Sequence, residues 1–502
     1  MDVTTALEQE VTQLLSGNRI FSGYYPQWLY LMQSYLGGED YRQAGLLTRY
    51  QLETAAEYEA RLRATPVDNH CASVISVYNS FIFREEPDRE YGSLTGMPEL
   101  EDFLNDADMD GRSLNAFMKD VSTWSNVFGH CWIILAKPNL NLATRADEQM
   151  LGVRPYVNLL TPLVVLDWRW TRSPAGRYEL DYFKYVEDVN GDVNTIKEWT
   201  RTEIRTSTVD AKDKVIKDQY VEPNQLGAIP AVCCYNRRSM VRGIGVSAIA
   251  DIADWQRFLY NCASEIDQSI RLDTHPSLVK TPETQAGVGA GAIIHMPDNL
   301  DPGLKPYVLD FAGASVGNIL DVMKHGIGSI DKMANTGAVR ATESRTLSGV
   351  AMETEFALLN ARLSESADNL ELAEEGIWNI WAAYMGYTWD GEIDYPGSFN
   401  IRDTGREVAQ LQTAKSAATD PRVIAAIDAK LLDWLDLDED ELATVRDARI
   451  IKPNSVPEGE DYYGFAPHIM VDPVTGEERL VQTQEEHVAL ANLGWYHKEG
   501  EE

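Results

Sequence analysis

A chain of 502 residues with 44% hydrophobic and 24% charged residues has globular make-up and is neither disordered nor fibrous; at roughly 150 residues per domain it is long enough for about three domains. Lys and Arg number 44 against 78 Asp and Glu, a formal charge of −34. Such a mean field repels phosphate, which excludes coating nucleic acid or an anionic membrane over a broad surface and leaves only local basic spots to touch DNA.

Five cysteines (Cys71, Cys131, Cys233, Cys234, Cys262) have no repeating spacing, and the adjacent pair points to opposite faces of a strand. They read as buried free thiols of a reducing compartment. The N-terminus, MDVTTALEQEVTQLL, carries acids where a signal peptide would carry cations. The apolar runs Trp132 to Ala136 and Leu163 to Leu166 fall short of the ~18 residues of a membrane span. The expected place is the cytosol, or a particle assembled from it.

In chain order, residues 1–86 are predicted helical, with Val67, Cys71, Val74, Ile75, Tyr78 and Ile82 recurring at three- and four-residue steps. Residues 87–111, rich in Pro, Gly and Asp, read as a loop. Ser113 to Phe128 is an amphipathic helix running into a short strand, CWIILA, at 131–136. From 153 to 235 the segments become rich in Val, Ile, Tyr, Trp and Thr and read as strands, with hairpin-turn chemistry at Asp188-Val-Asn-Gly191. The fold class is therefore α+β: helices layered on a mostly antiparallel sheet.

A helix opens at Ser247 with the stripe Ile249, Ile252, Trp255, Leu259, Cys262, Ile266 and Ile270; its other face carries Asp254, Arg257, Asn261, Glu265 and Gln268. It stops near Thr274-His275-Pro276. A Pro- and Gly-rich stretch to Phe311 holds two short apolar runs and reads as a small β module. A second rod starts near Ser315 and ends near Ala334, with Gly326 and Gly328 inside it. Each glycine costs about 1 kcal/mol against Ala, so a bend is expected there. The segment 335–349 (NTGAVRATESRTLSG) is a polar loop of small residues, followed by a helix from Val350 to Met385. Residues 404–449 read as helices broken at Pro421, a third helix begins at DLDED (436–440), and a hairpin is expected around Asp472 to Gly476 with a short helix from Thr483.

The search for catalytic chemistry is mostly negative. There is no G-x-x-x-x-G-K-[ST], G-x-S-x-G or H-E-x-x-H, and Gly287-Val-Gly289-Ala-Gly291 lacks the spacing and setting of a dinucleotide site. Asp106-Ala-Asp108-Met-Asp110-Gly111 opens like a calcium loop, but Phe117 stands where the closing bidentate Glu belongs, so it reads as a solvated turn. His70-Cys71 and His130-Cys131 both lie in apolar runs and read as core. No metal, cofactor or catalytic set is assigned.

The order of these features resembles the portal (head-to-tail connector) proteins of tailed bacteriophages over roughly residues 25–450. The phrases that carry it are "EYEARLRATPVDN" before "FIFREEP", "RPYVNLLTPLVVLDWRW", "NQLGAIPAVCCYN" and "GVSAIADIADWQRFLYNCASEIDQSIRLDTHPSLV". The resemblance implies a wing over 1–246, stem helices at 247–273 and 315–334, a clip at 274–314 and a tunnel loop at 335–349. It further implies a long wing helix and return at 350–403, and a helical crown with the C-terminal segment at 404–502. It implies a non-enzymatic subunit of a homododecameric ring at one capsid vertex of the virion, assembled in the host cytoplasm. Its implied partners are the major capsid protein, a terminase that supplies the ATP hydrolysis, a head-tail adaptor and the double-stranded DNA that passes through.

On that reading Arg340, Arg345 and Glu343 are the DNA-facing tunnel-loop residues, with the two arginines expected either at phosphate or bridged to Glu343 or a neighbouring subunit. Lys324, Lys332, Asp254 and Glu265 are the candidate channel-lining residues of the stem; the lysines can equally pair with Asp321 and Asp331. Pro282, Glu283 and Lys305 are the candidate clip contacts to terminase or adaptor. An acidic wall with few cations suits sliding of DNA better than gripping it. The alternatives are an acidic cytosolic hydrolase using a carboxylate pair, whose two carboxylates would lie about 5–10 Å apart, and a virion structural protein without a channel.

Overall fold

The computed structural model describes residues 3–138, 140, 144–274, 314–340 and 349–399, short strand pieces between 277 and 309 with residue 301, and scattered stretches of 411–497. Rather than three domains, the chain divides into two compact units, Met1–Asn400 and Ile401–Glu502.

In the first unit the N-terminal helices are α1 (Val3–Leu15), α2 (Arg19–Leu36), α3 (Gly38–Gln43), α4 (Ala55–Ala64) and α5 (His70–Ile82). Thr54 and Glu57 form a reciprocal capping box on α4, and the Asn18 and Asn69 side chains accept the first free N–H groups of α2 and α5. The stretch 87–111 is more ordered than a loop: it holds β1 (Asp88–Glu90) and α6 (Pro98–Asn105). Pro98 at the first helical position and Glu99 and Glu101 in the first turn are start signals hidden by the Asp- and Gly-rich surroundings. The calcium-like phrase after it is a turn. Asp108 accepts from the Asp110 and Arg112 N–H groups and pairs with the Arg112 guanidinium at 2.5 Å, and Asp106 accepts from Gly111 N–H.

Next come α7 (Leu114–Phe128), capped by Ser113, and β2 (His130–Ala136). Gly129 between them has φ 91°, and a Cβ there would sit 2.6 Å from the Gly245 and Ser247 backbone, so only glycine makes this corner. After α8 (Arg145–Met150) follow β3 (Tyr156–Leu160), β4 (Val165–Arg172), β5 (Tyr178–Asn190), β6 (Val193–Thr200), β7 (Glu203–Asp210), β8 (Val215–Pro223) and β9 (Ala231–Tyr235). β4 to β8 form a five-stranded antiparallel meander, whereas β2 is the centre of a separate sheet between β3 and β9. β2 is buried on both faces, which its continuous apolar run required.

The remaining elements of this unit are α9 (Ala250–Thr274), β10 (Ser277–Val279), β11 (Gln285–Ala286), β12 (Ile294–His295), β13 (Tyr307–Leu309), α10 (Ala314–Ala334), α11 (Gly337–Arg340), α12 (Gly349–Met385) and β14 (Glu392–Asp394). β14 pairs with β1, an edge that the break after Met385 did not announce. The core joins α2, α5, α7, β2, the start of α9 and the buried face of α12, with Trp28, Trp132, Trp378 and Trp381 its largest fully buried side chains.

The second unit holds β15 (His468–Val471), β16 (Glu478–Val481) and β17 (Tyr496–His497) in one antiparallel sheet. β15 and β16 flank the expected turn at 472–476. The helices expected between 404 and 449 fall mostly outside the described residues, as does the helix from Thr483.

All five cysteines are free thiols; Cys131 and Cys234 face each other across β2 and β9. His130 is fully buried beside Trp28, its Nδ1 accepting from Gly245 N–H at 3.3 Å, and burial drives its pKa down to about 3. A histidine depressed in the folded state binds its proton only after unfolding. Its contribution is therefore complete above the unfolded value near 6.5 and is lost as pH falls from there toward about 3. We expect His130→Gln to be less stable than the wild type at pH 7.5 but to close the gap by about 2 kcal/mol at pH 5. Urea titrations at the two pH values check this; a gap that does not narrow refutes it.

Candidate functional site

α9 has 25 residues, about 37 Å of rod, and α10 has 21, about 31 Å. They run antiparallel: Trp255 and Leu259 near the start of α9 meet His325 and Gly326 in the second half of α10. At the opposite end two strand pairs nest one inside the other, β10 with β13 and β11 with β12. The elements between the rods are thus an arm of concentric antiparallel pairs, as a small β module between 274 and 314 requires.

Gly326 does not break its helix. α10 runs unbroken through Gly326 and Gly328, and a Cβ on Gly326 would lie 3.0 Å from Leu259 Cδ2 and 3.2 Å from the Trp255 ring. The bend expected from propensity is replaced by close approach of the two rods.

The opposite face of α9 is covered by the N-terminal segment. Tyr30 Oη donates to Asp254 at 3.1 Å, Tyr50 Oη to Glu265 at 2.7 Å, Thr48 N–H to Asn261 at 2.8 Å, and Arg61 to Ser264 at 3.0 Å. Burial and the Glu265 carboxylate push the Tyr50 phenol up to about 12. The structure thus gives Asp254 and Glu265 partners within the chain, on the side of α9 that faces residues 28–64. No periodicity announces these bonds: two of the four come from the segment 46–54, which has no regular structure.

On α10, Asp321, Lys324, His325 and Lys332 are exposed, together with the apolar Leu320, Val322 and Met333. At the base of this rod Tyr78 of α5 donates to Ala334 O at 2.6 Å. Arg340, expected in a loop, closes the four-residue helix α11; it pairs with Asp331 at 2.8 Å, its side chain 12% exposed, and donates to His70 Nδ1 at 2.9 Å. The other ring nitrogen of His70 lies 3.1 Å from Asp68, and that contact holds the Asp68 carboxyl below the usual range. Arg340 is therefore a tie between α10 and α5. Glu343 and Arg345 lie outside the described residues, as do Pro282, Glu283 and Lys305.

Among the described residues no group of three His, Cys, Asp or Glu side chains could hold a metal, and no helix is long and apolar enough to cross a membrane. A groove of about 440 Å³ is lined by Tyr50, Glu53, Glu57, Arg61 and Arg271. Its carboxylates are engaged: Glu53 pairs with Arg61 at 2.7 Å, and Glu57 caps α4. The buried Glu374 is engaged too, by Arg89, Trp378 and Tyr395.

No protein-family model and no curated protein matches the chain. Among solved structures it is similar to chains of gene transfer agent particles. One is from the neck of an empty particle computed with C6 symmetry: TM-score 0.42, 10% identity, covering 76% of this chain and 95% of that one. A second is from the virion of the native particle: TM-score 0.40, 10% identity, 79% and 99% covered. A third is from the neck of the native particle computed with C12 symmetry: TM-score 0.39, 11% identity, 75% and 93% covered. These neighbours are components of virus-like particles.

Proposed function

We propose that this chain is the portal subunit of a phage-type particle: a ring at one capsid vertex through which double-stranded DNA is packaged and ejected. The observation that carries the reading is the arm built by α9 and α10. Two antiparallel rods leave an α+β body, meet through a close glycine contact, and are joined at the far end by nested strand pairs. Repeated around an axis, such rods line a passage, and their outer strands form a rim on which a packaging motor and later a tail adaptor can dock. A formal charge of −34 per subunit makes the passage one that DNA slides through. The chain itself supplies no ATP hydrolysis in this scheme, which the terminase provides.

The exposed Lys324 and Lys332 of α10, with Arg345 further along the chain, are the proposed contacts to phosphate; Arg340 is assigned to holding the base of the rods. The first experiment is the native mass of the purified protein with images of the same sample. Twelve copies of a 56.3 kDa chain give a ring of roughly 680 kDa with a central hole; a particle of one or two chains at high concentration overturns the reading. In assembled rings, Lys324→Glu with Lys332→Glu should leave the ring intact and reduce DNA retained in filled particles, and unchanged retention removes these residues from the channel.

A further inference from the structure

A basic surface of this acidic chain lies just before the first rod of the arm. The turn between β9 and α9 reads RRSMVR, and Arg237, Arg238 and Arg242 in it are exposed. Arg242 stacks 3.7 Å above Tyr178 and 5.8 Å from Trp170, Arg172 lies 4.7 Å from the same Tyr178, and Arg238 lies 5.3 Å from Tyr235. Stacking on Tyr178 and Tyr235 orients the guanidinium planes, and Arg172 and Arg242 also hydrogen-bond the Tyr178 phenol. The hydrogen bond from Arg172, with the charges of Arg172 and Arg242 beside it, holds the Tyr178 phenol below its ordinary range. None of Arg172, Arg237, Arg238 and Arg242 has a carboxylate partner among the described residues, in a chain with 78 acids. Arg238 and Arg242 border a groove of about 470 Å³, and Met240 stands fully exposed at its lip.

The same chain carries a surface that matches it. In the β1–β14 pair Asp88 stands opposite Asp394 and Glu90 opposite Glu392, all four exposed, while Arg89 and Ile393 point inward. Like charges directly opposite each other on one face destabilise a strand pair, and no cation of the described residues pairs with these four. The field reaches neighbours: Glu371 is held above the usual carboxylate range, chiefly by burial, with Asp394 adding to it.

The two surfaces lie on opposite sides of α12. Asn369, Leu372 and Ala373 line the arginine groove, whereas Glu371 and Glu374 bond Tyr395 N–H beside β14 and Arg89 of β1. At 100° per residue these two sets are on opposite faces of the helix. A surface and its complement on opposite sides of one chain make a head-to-tail contact, and such contacts form a ring when the rotation between copies closes.

We propose that the arginine groove, centred on Arg238 and Arg242, receives the acidic β1–β14 face of a second copy of this chain. The contact deepens the ring reading above, on which it rests, by naming what joins neighbouring subunits. Met240 would add apolar burial at the rim.

The test uses the full chain in two charge-reversed forms, Arg238→Glu with Arg242→Glu and Glu90→Arg with Glu392→Arg. All four positions are exposed, so circular dichroism and urea unfolding of each form should match the wild type. Each form alone should stay unassembled, with the concentration for half-assembly raised about 100-fold by like-charge contacts. Mixed in equal amounts they should assemble again, because every contact in an alternating ring then pairs opposite charges. Native mass reads all three samples. Wild-type rings with either reversed form assembling as well, or no recovery on mixing, overturn this contact and leave the portal reading standing. Normal rings of the Arg238→Glu, Arg242→Glu form that have lost bound DNA would assign the groove to nucleic acid instead and also overturn it. A wild type that stays monomeric at high concentration overturns both.

Discussion

Replacing Glu374 with alanine is expected to lower the unfolding free energy of the first unit by about 3–5 kcal/mol, the largest effect of any single truncation proposed for this chain. The carboxylate is fully buried on α12, at 0% exposure. Arg89 from β1 meets it at 2.5 and 3.1 Å through two nitrogens, Tyr395 Oη donates at 2.6 Å, and Trp378 Nε1 donates at 3.3 Å. The third nitrogen of Arg89 donates to Asn115 at 2.6 Å. Although burial alone would lower the Arg89 pKa, Glu374 outweighs it and raises the guanidinium above its ordinary value. With Glu374 removed, Arg89 is left as a buried, uncompensated cation, and the tie between the β1–β14 pair and the long helix is cut. Glu374→Met combined with Arg89→Met should recover most of the loss, since an apolar replacement of both charges removes the desolvation cost with the pair. Tyr395→Phe, which removes one donor, should cost about 1 kcal/mol. Urea unfolding followed by tryptophan fluorescence reads all three, with Trp378 and Trp381 close to the change. A loss under about 1 kcal/mol for Glu374→Ala would mean that Arg89 reaches water or another partner once the carboxylate is gone.

The elements that could be read from the sequence are those whose signal is local and repeated. Gly349–Met385 was legible almost to the residue, because Leu359, Leu363, Leu370, Ile377 and Trp381 recur on one face and are buried there. The same holds for Leu114–Phe128, for β2 and for the strands of the meander, whose Val, Ile, Tyr and Trp content left little competition. The short elements β1, α6 and β14 were not legible. β1 and β14 are three residues each and exist by pairing across about 300 residues of chain, a contact with no local trace. At the candidate site the rods and their outer strands could be placed, but the role of single side chains could not. Which partner Asp254 or Glu265 takes depends on where Tyr30 and Tyr50 arrive, and whether Arg340 is loose depends on Asp331 and His70. Those partners are brought by tertiary structure, and periodicity carries no record of them.

The two glycines of α10 make the sharpest test of the arm, because propensity treats them alike and packing does not. Around Gly328 nothing lies within 4 Å of an added Cβ, so Gly328→Ala should stabilise by about 1 kcal/mol, the helix-propensity difference. At Gly326 the same Cβ would press on Leu259 Cδ2 at 3.0 Å and on the Trp255 ring at 3.2 Å, inside a contact that joins the rods. Gly326→Val adds two further methyl groups there and a β-branched side chain in a helix; it should cost about 1–3 kcal/mol in overpacking beyond any propensity gain. Because Trp255 also stands edge-on to His325, its ring cannot turn away without losing that contact. The effect should therefore appear twice, as lower stability in thermal unfolding and as a changed Trp255 environment in fluorescence quenching. The proposed ring adds a third readout. If the rods line its passage, pushing them apart at this point changes the spacing of every subunit, so Gly326→Val is expected to assemble into fewer or irregular rings, while Gly328→Ala rings keep wild-type size. Equal behaviour of the two variants would mean that α9 and α10 are not held together by this contact, and the arm would lose its account of how two rods act as one unit.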